Sequence, residues 1–154
     1  MKPKNIILVI LLGFFLSCKT DADYKNIDLI ADFLKDVKNP AISIDSLINK
    51  HLCVCRQKEN RKASREALVM LLTPFRSDLK NSPVDFRSSI NRYDSIFNFD
   101  KNLNMDSGTE NNSYYYTNEK GGKTFILIRD GKIASFTILR KGQVGRGVFL
   151  VFCG

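Results

Sequence analysis

The chain has no tryptophan, a single histidine and four cysteines among 154 residues. One histidine excludes a metal site built from several imidazoles, and no carboxylate is evident to orient His51 as a catalytic base. The sequence also lacks a G-x-S-x-G nucleophile motif. A content of 44% hydrophobic and 26% charged residues is typical of a folded soluble domain. We therefore expect one domain, no cofactor and a non-enzymatic role.

The first 18 residues have the features of an export signal. Lys2 and Lys4 precede an apolar run from Ile6 to Leu16, which is followed by Ser17 and Cys18. This run is about half as long as the ~20 residues that a membrane-spanning helix needs. A basic start, a short apolar run and a small residue at its end are typical of a secretory signal peptide.

The segment resembles a bacterial lipoprotein signal of the Bacteroidota type. Cys18 follows the apolar run directly, Phe15 and Leu16 give a relaxed form of the usual motif, and Lys19 to Asp23 add lysine and acidic residues. The resemblance implies a signal peptide over 1–17, cleavage before Cys18, acyl chains such as palmitate on Cys18, and a lipidated tether over 18–24. A single domain would occupy 25–154. It also implies a protein anchored by lipid in the cell envelope, at the outer membrane rather than the inner one, with its domain in the periplasm or at the cell surface.

The first half of the mature chain has helical periodicity. A first helix is predicted from Asp21 or Asp23 until Lys38-Asn39-Pro40, because apolar residues recur at steps of three and four. Ser43 is a candidate cap for a second, short helix. A third helix is predicted from about Asn60 to Leu79, with a kink at Pro74. A fourth is predicted after Ser82-Pro83, on the spacing of Phe86, Ile90, Tyr93 and Phe97.

The second half favours strands. After a polar loop over 98–113, β-branched and aromatic runs alternate with turn residues, and Asp130-Gly131 is a strong hairpin signal. The predicted strands are Tyr114–Thr117, Lys123–Arg129, Ile133–Arg140 and Val148–Cys153. Helices followed by strands predict an α+β domain with N-terminal helices packed on a C-terminal antiparallel sheet of about four strands. This architecture is similar to the NTF2-like or cystatin-like rolls of envelope lipoproteins over 25–153, without a shared motif.

The cysteines of the mature chain allow two interpretations. With Cys18 lipidated, a disulfide from Cys53 or Cys55 to Cys153 is easier to build than one between Cys53 and Cys55. Alternatively, His51, Cys53 and Cys55 would project to one side of a strand and, with Cys153, form a metal or thiol-redox site. The spacing is not that of known zinc motifs, so a metal is not favoured.

Two further segments are candidate sites. Tyr114, Tyr115 and Tyr116 form a possible binding surface at the sheet, since tyrosines are frequent anchors at interfaces. Gly142 to Gly147 is glycine-rich but leads into a strand, which favours a hairpin loop over a phosphate-binding loop. The net charge of +8 is spread along the chain, and nucleic acid is not an expected partner.

Three functions remain open at this point. The leading hypothesis is a membrane-anchored envelope lipoprotein that acts as a non-enzymatic binding module for an envelope protein or a small ligand. The alternatives are a metal-binding or thiol-redox protein that uses the cysteine cluster, and an immunity-type inhibitor of a toxin.

Overall fold

A computed structural model describes residues 21–55, 57–82, 85–93, 110–141 and 146–152. Within these ranges three helices come first and six strands follow, which confirms the α+β fold with helices preceding the sheet. The predicted signal peptide and Cys18 lie outside the described residues. Among the helices described, none has the length and apolar character required to cross a bilayer.

The three helices lie close to their predicted positions. Helix α1 spans Asp21–Lys38, with acidic residues in its first turn and basic residues in its last, as the helix dipole favours. Helix α2 spans Ile44–His51, and the Ser43 hydroxyl caps it by accepting a hydrogen bond of 3.1 Å from the backbone amide of Ser46. Helix α3 spans Lys58–Leu79 and contains Pro74.

Four antiparallel strands form the main sheet in the order β1-β2-β3-β4. The strands are β1 (Ile90–Arg92), β2 (Ser113–Thr117), β3 (Lys123–Arg129) and β4 (Lys132–Ser135). The hairpin predicted at Asp130-Gly131 is confirmed, because both residues have positive φ angles, 51° and 68°, and Arg129 pairs with Lys132. Two successive positive φ angles match the twist of a two-residue hairpin.

Two of the predicted elements are wrong. No fourth helix forms over the described part of 82–97: Arg87–Ser89 is a single 3₁₀ turn, and β1 follows it and pairs with β2. The predicted strand Ile133–Arg140 is divided, since β4 ends at Ser135. The Ser135 hydroxyl bonds both the carbonyl and the amide of Thr137, which turns the chain between the two parts.

The remaining strands form a separate hairpin. Strand β5 (Ile138–Lys141) pairs with β6 (Arg146–Phe149) in an antiparallel two-stranded sheet. The predicted loop over Gly142–Gly147 and the predicted strand Val148–Cys153 are both displaced, because Arg146 and Gly147 belong to β6 and β6 ends at Phe149. Residues 142–145 lie outside the described part. After β6, the amide of Leu150 donates to the carbonyl of Thr137, so the chain returns alongside the β4–β5 connection.

Both faces of the main sheet carry apolar clusters. The larger cluster joins the helices to one face, and its sheet residues include Ile90, Tyr114, Tyr116, Ile126 and Ile133. A smaller cluster on the opposite face contains Tyr93, Leu127, Ala134 and Phe149. The helices thus cover one face, while β6 covers part of the other.

Candidate functional site

The three consecutive tyrosines of β2 have different environments. Side chains alternate along a strand, so Tyr114 and Tyr116 face the helices and are buried, whereas Tyr115 lies on the opposite face and is partly exposed. Two of the three residues of the predicted binding surface are therefore buried against the helices. Only Tyr115 remains available at the surface.

The hydroxyl of Tyr114 joins the sheet to α1. It donates a hydrogen bond of 3.0 Å to Oδ1 of Asp23 and accepts one of 3.0 Å from Nδ2 of Asn26. Arg92 on β1 contacts the other oxygen of Asp23 at 3.3 Å. Burial, together with the neighbouring Asp23 carboxylate, raises the pKa of Tyr114, so the phenol stays a neutral donor. These contacts give Tyr114 a structural role.

The hydroxyl of Tyr116 has no such partner. The side chain is 1% exposed, and among the described residues no hydrogen-bonding group reaches its oxygen. Its ring packs edge-on against Phe86 at 5.6 Å between centroids, which fixes the position of the phenol. A buried hydroxyl without a partner reduces stability by about 1–3 kcal/mol, so such groups are rare in native proteins.

Tyr116 lines one of two adjoining cavities between α3 and the start of β3. Their volumes are about 400 and 460 Å³, within the ~300–1,000 Å³ of typical ligand pockets. Phe75, Asp78 and Thr124 line both cavities, and we call the combined space the α3–β3 cleft. The other residues that line it are Leu71, Pro74, Ser77, Leu79, Asn81, Ser82, Tyr116, Asn118, Glu119, Lys120, Lys123, Phe125, Phe136, Thr137 and Ile138.

The turn between β2 and β3 forms the rim of the cleft. Oδ1 of Asn118 accepts hydrogen bonds from the amides of Lys120 at 3.0 Å and Gly122 at 2.7 Å. A side chain at Gly122 would lie 2.8 Å from the Asn118 amide nitrogen, so the Asn118 side chain would have to shift to admit it. The turn thereby holds the charged residues Glu119 and Lys120 at the opening.

A row of aromatic rings crosses the opposite face of the sheet. The ring centroid of Phe125 lies 6.2 Å from that of Tyr93 and 6.2 Å from that of Tyr115. The ammonium group of Lys123 lies 5.2 Å from the centroid of Tyr115, within cation–π range. Because Phe125 and Lys123 also line the cleft, the row and the cleft meet at the start of β3.

The proposed cluster of His51 and the cysteines has a different geometry from the one expected. His51 is the last residue of α2 and does not lie on a strand with Cys53 and Cys55. Helix formation continues to His51 because its imidazole is buried against Phe33 and its Nε2 lies 2.7 Å from Oδ2 of Asp36. The strand arrangement of the three ligands is therefore wrong.

The Asp36 carboxylate is ionised in this pair. Burial opposes its ionisation, but hydrogen bonds from Lys50, at 2.6 Å, and from His51 outweigh that effect and lower the pKa of Asp36 below 3.8. The interaction fastens the end of α2 to α1. It gives His51 a structural partner.

The cysteines in the described residues are in two states. Cys53 is disulfide-bonded, and Cys55 is a free, partly buried thiol. The amide of Cys53 donates to the carbonyl of Ile133 at 2.9 Å, and the amide of Phe152 donates to the carbonyl of Ala134 at 3.5 Å. Within the described ranges, no group of three or more His, Cys, Asp and Glu side chains is placed to hold a metal ion.

The chain matches no known protein-family model, no characterised protein and no solved structure. Sequence reasoning missed the cleft residues Phe75, Asp78 and Thr124. Their sequence positions carry no shared signal, because α3 and β3 meet only through the fold.

Proposed function

We propose that the chain is a lipid-anchored protein of the bacterial cell envelope whose α+β domain is a non-enzymatic binding module. The ligand is a small molecule held in the α3–β3 cleft. The observation that carries this proposal is the α3–β3 cleft, which is lined by Tyr116, a buried tyrosine whose hydroxyl has no partner among the described residues.

The Tyr116 hydroxyl is buried in the empty protein, so a ligand that shifts a neighbouring side chain of the cleft would supply the partner that the hydroxyl lacks. Phenol oxygens donate one hydrogen bond and accept others, and burial without either is unfavourable. Tyr114, two residues away on the same face, has both kinds of partner. The contrast supports a binding role for Tyr116, since one hydroxyl of the pair has partners and the other has none in a residue that lines a cavity.

The lipid anchor rests on the sequence of residues 1–23 and needs its own test. Intact mass spectrometry of the full-length protein from its own membranes should give a chain that begins at Cys18 and carries added acyl mass. Cys18→Ser should abolish both the acyl mass and membrane association. A wild-type chain of unmodified mass in the soluble fraction would contradict the anchor.

The cleft is tested by filling it. Ser77 is exposed on α3 and lines the cleft, so a tryptophan at this position would occupy the space without disturbing the core. Thr73 is exposed one turn earlier on the same helix and lines neither cavity, which makes Thr73→Trp the matched control.

Small molecules released from each purified protein are compared by liquid chromatography and mass spectrometry. Wild type and Thr73→Trp should release the same compound in comparable amounts, and Ser77→Trp should release much less. Equal profiles from all three proteins would contradict binding in the cleft.

Thiol chemistry is the second candidate function. It is favoured by the free thiol of Cys55, which lies two residues from disulfide-bonded Cys53. Thiol–disulfide exchange with a partner protein requires an accessible thiolate, so a Cys55→Ser variant should lose any mixed disulfide trapped in cells. Absence of such a trapped disulfide in the wild type would contradict this candidate.

A further inference from the structure

We infer that the α3–β3 cleft selects an uncharged, hydroxyl-rich ligand, such as one or two sugar rings, over a charged one. This inference rests on the proposed binding function and concerns the chemical class of the ligand. It is drawn from the charges, the polar groups and the aromatic surface of the cleft.

The charges of the cleft balance. Two acidic residues, Asp78 and Glu119, and two basic residues, Lys120 and Lys123, are among the residues that line it. Equal numbers of acidic and basic residues around one opening give it no net formal charge that would favour an ion of either sign. The phenol of Tyr116 is neutral and buried, and a charged ligand that reached it would lose its hydration without meeting an opposite charge.

The polar groups of the walls include both donors and acceptors. Tyr116, Thr124, Ser77 and Ser82 contribute hydroxyls, and Asn81 contributes an amide. A hydroxyl on a ligand can donate to a carboxylate or carbonyl and accept from a hydroxyl or amide, so it suits every group of this wall. A molecule with only acceptors or only donors would leave part of the wall unpaired at a cost.

One wall is apolar. Phe75 is partly buried, lines both cavities, and is held by stacking on Phe136 at 5.4 Å between centroids. A fixed aromatic ring offers a flat surface to the C–H face of a ring-shaped ligand, while the hydroxyl groups at the edge of that ligand reach the polar side chains. A sugar ring combines one such face with a polar edge.

The test is a nuclear magnetic resonance titration of the full-length protein in a zwitterionic detergent without a sugar headgroup. The neutral probes are glucose, N-acetylglucosamine and maltose, and the charged probes are glucose 6-phosphate, glucuronate and glucosamine. The backbone amide signals of Ser77 and Thr124 report on the cleft. At least one neutral probe should shift both signals in a saturable way, and its charged counterparts should bind at least about tenfold more weakly.

Three variants assign the site. Tyr116→Phe and Thr124→Val each remove one hydroxyl and should weaken binding of the neutral probe about 3- to 10-fold. Tyr114→Phe, whose hydroxyl is already bonded away from the cleft, should leave the affinity unchanged.

Failure of this inference is separable from failure of the proposed function. Equal or tighter binding of the charged probes would overturn the ligand class and leave the cleft as a binding site. The same conclusion follows if no probe binds while the wild-type protein still releases a compound that Ser77→Trp does not. If no probe binds and no compound is released, both proposals are wrong.

Discussion

Removing one oxygen atom from Tyr114 or from Tyr116 should have opposite effects on stability. Both side chains lie on the helix-facing side of β2 and both are essentially inaccessible to solvent, at 0% and 1% exposure. Replacement by phenylalanine keeps the ring and its packing. The two variants therefore differ only in what each hydroxyl contacts.

Tyr114→Phe should destabilise the fold by about 1.5–3 kcal/mol, the usual range for a hydrogen bond to a charged group. It removes the donor to the buried carboxylate of Asp23 and leaves the amide of Asn26 without its acceptor. Tyr116→Phe removes a hydroxyl that has no partner, so the free energy of unfolding should stay equal or rise by up to about 1 kcal/mol.

The assay is urea unfolding followed by circular dichroism, after dialysis into ligand-free buffer. With equal m-values, the urea concentration at the unfolding midpoint should be lowest for Tyr114→Phe, higher for the wild type, and equal to the wild type or higher for Tyr116→Phe. If Tyr116→Phe lost as much stability as Tyr114→Phe, its hydroxyl would already have a partner in the empty protein. That result would refute the argument that the cleft awaits a ligand.

Three further predictions concern the scaffold. Because the folded state lowers the pKa of Asp36 from its ordinary value of 3.8, the ionised carboxylate stabilises the fold at pH values above 3.8. This stability is lost as the pH falls through the pKa of Asp36 in the folded state. Asp36→Asn should therefore flatten the loss of melting temperature between about pH 5 and pH 2, and an unchanged acid profile would contradict the pairing. Gly131→Ala should lower the free energy of unfolding in urea by about 1 kcal/mol, because its φ of 68° disfavours a side chain even though the space is open; no loss would contradict the turn geometry. Peptide mapping without reductant should link Cys53 to Cys153 and show Cys55 alkylated, whereas a disulfide at Cys55 would contradict the assignment of the free thiol.

The helices and the tight turn were predictable because their signals are local. Helical periodicity, the Ser43 cap and the Asp130-Gly131 pair each depend on a few neighbouring residues. Strand β1 was not predictable in this way, because the spacing of Phe86, Ile90 and Tyr93 also suits a helix. Its extended form depends on pairing with β2, more than 20 residues later in the chain.

The candidate site was likewise predictable from the sequence only in part. The tyrosine run of β2 was noticed as unusual, yet which of its faces is covered depends on how α1 and α3 pack on the sheet. The unpartnered hydroxyl of Tyr116 and the cleft beside it result from the distance between α3 and the β2–β3 turn. No pattern of neighbouring residues encodes that distance.

A crystal structure of the protein purified from its own membranes would show whether the α3–β3 cleft holds a ligand. We expect electron density for a small organic molecule in the cleft, with a polar atom about 2.7–3.0 Å from the hydroxyl oxygen of Tyr116. A cleft holding only solvent, with one water bridging the Tyr116 hydroxyl to a protein carbonyl, would contradict this expectation, because the hydroxyl would then be satisfied without a ligand.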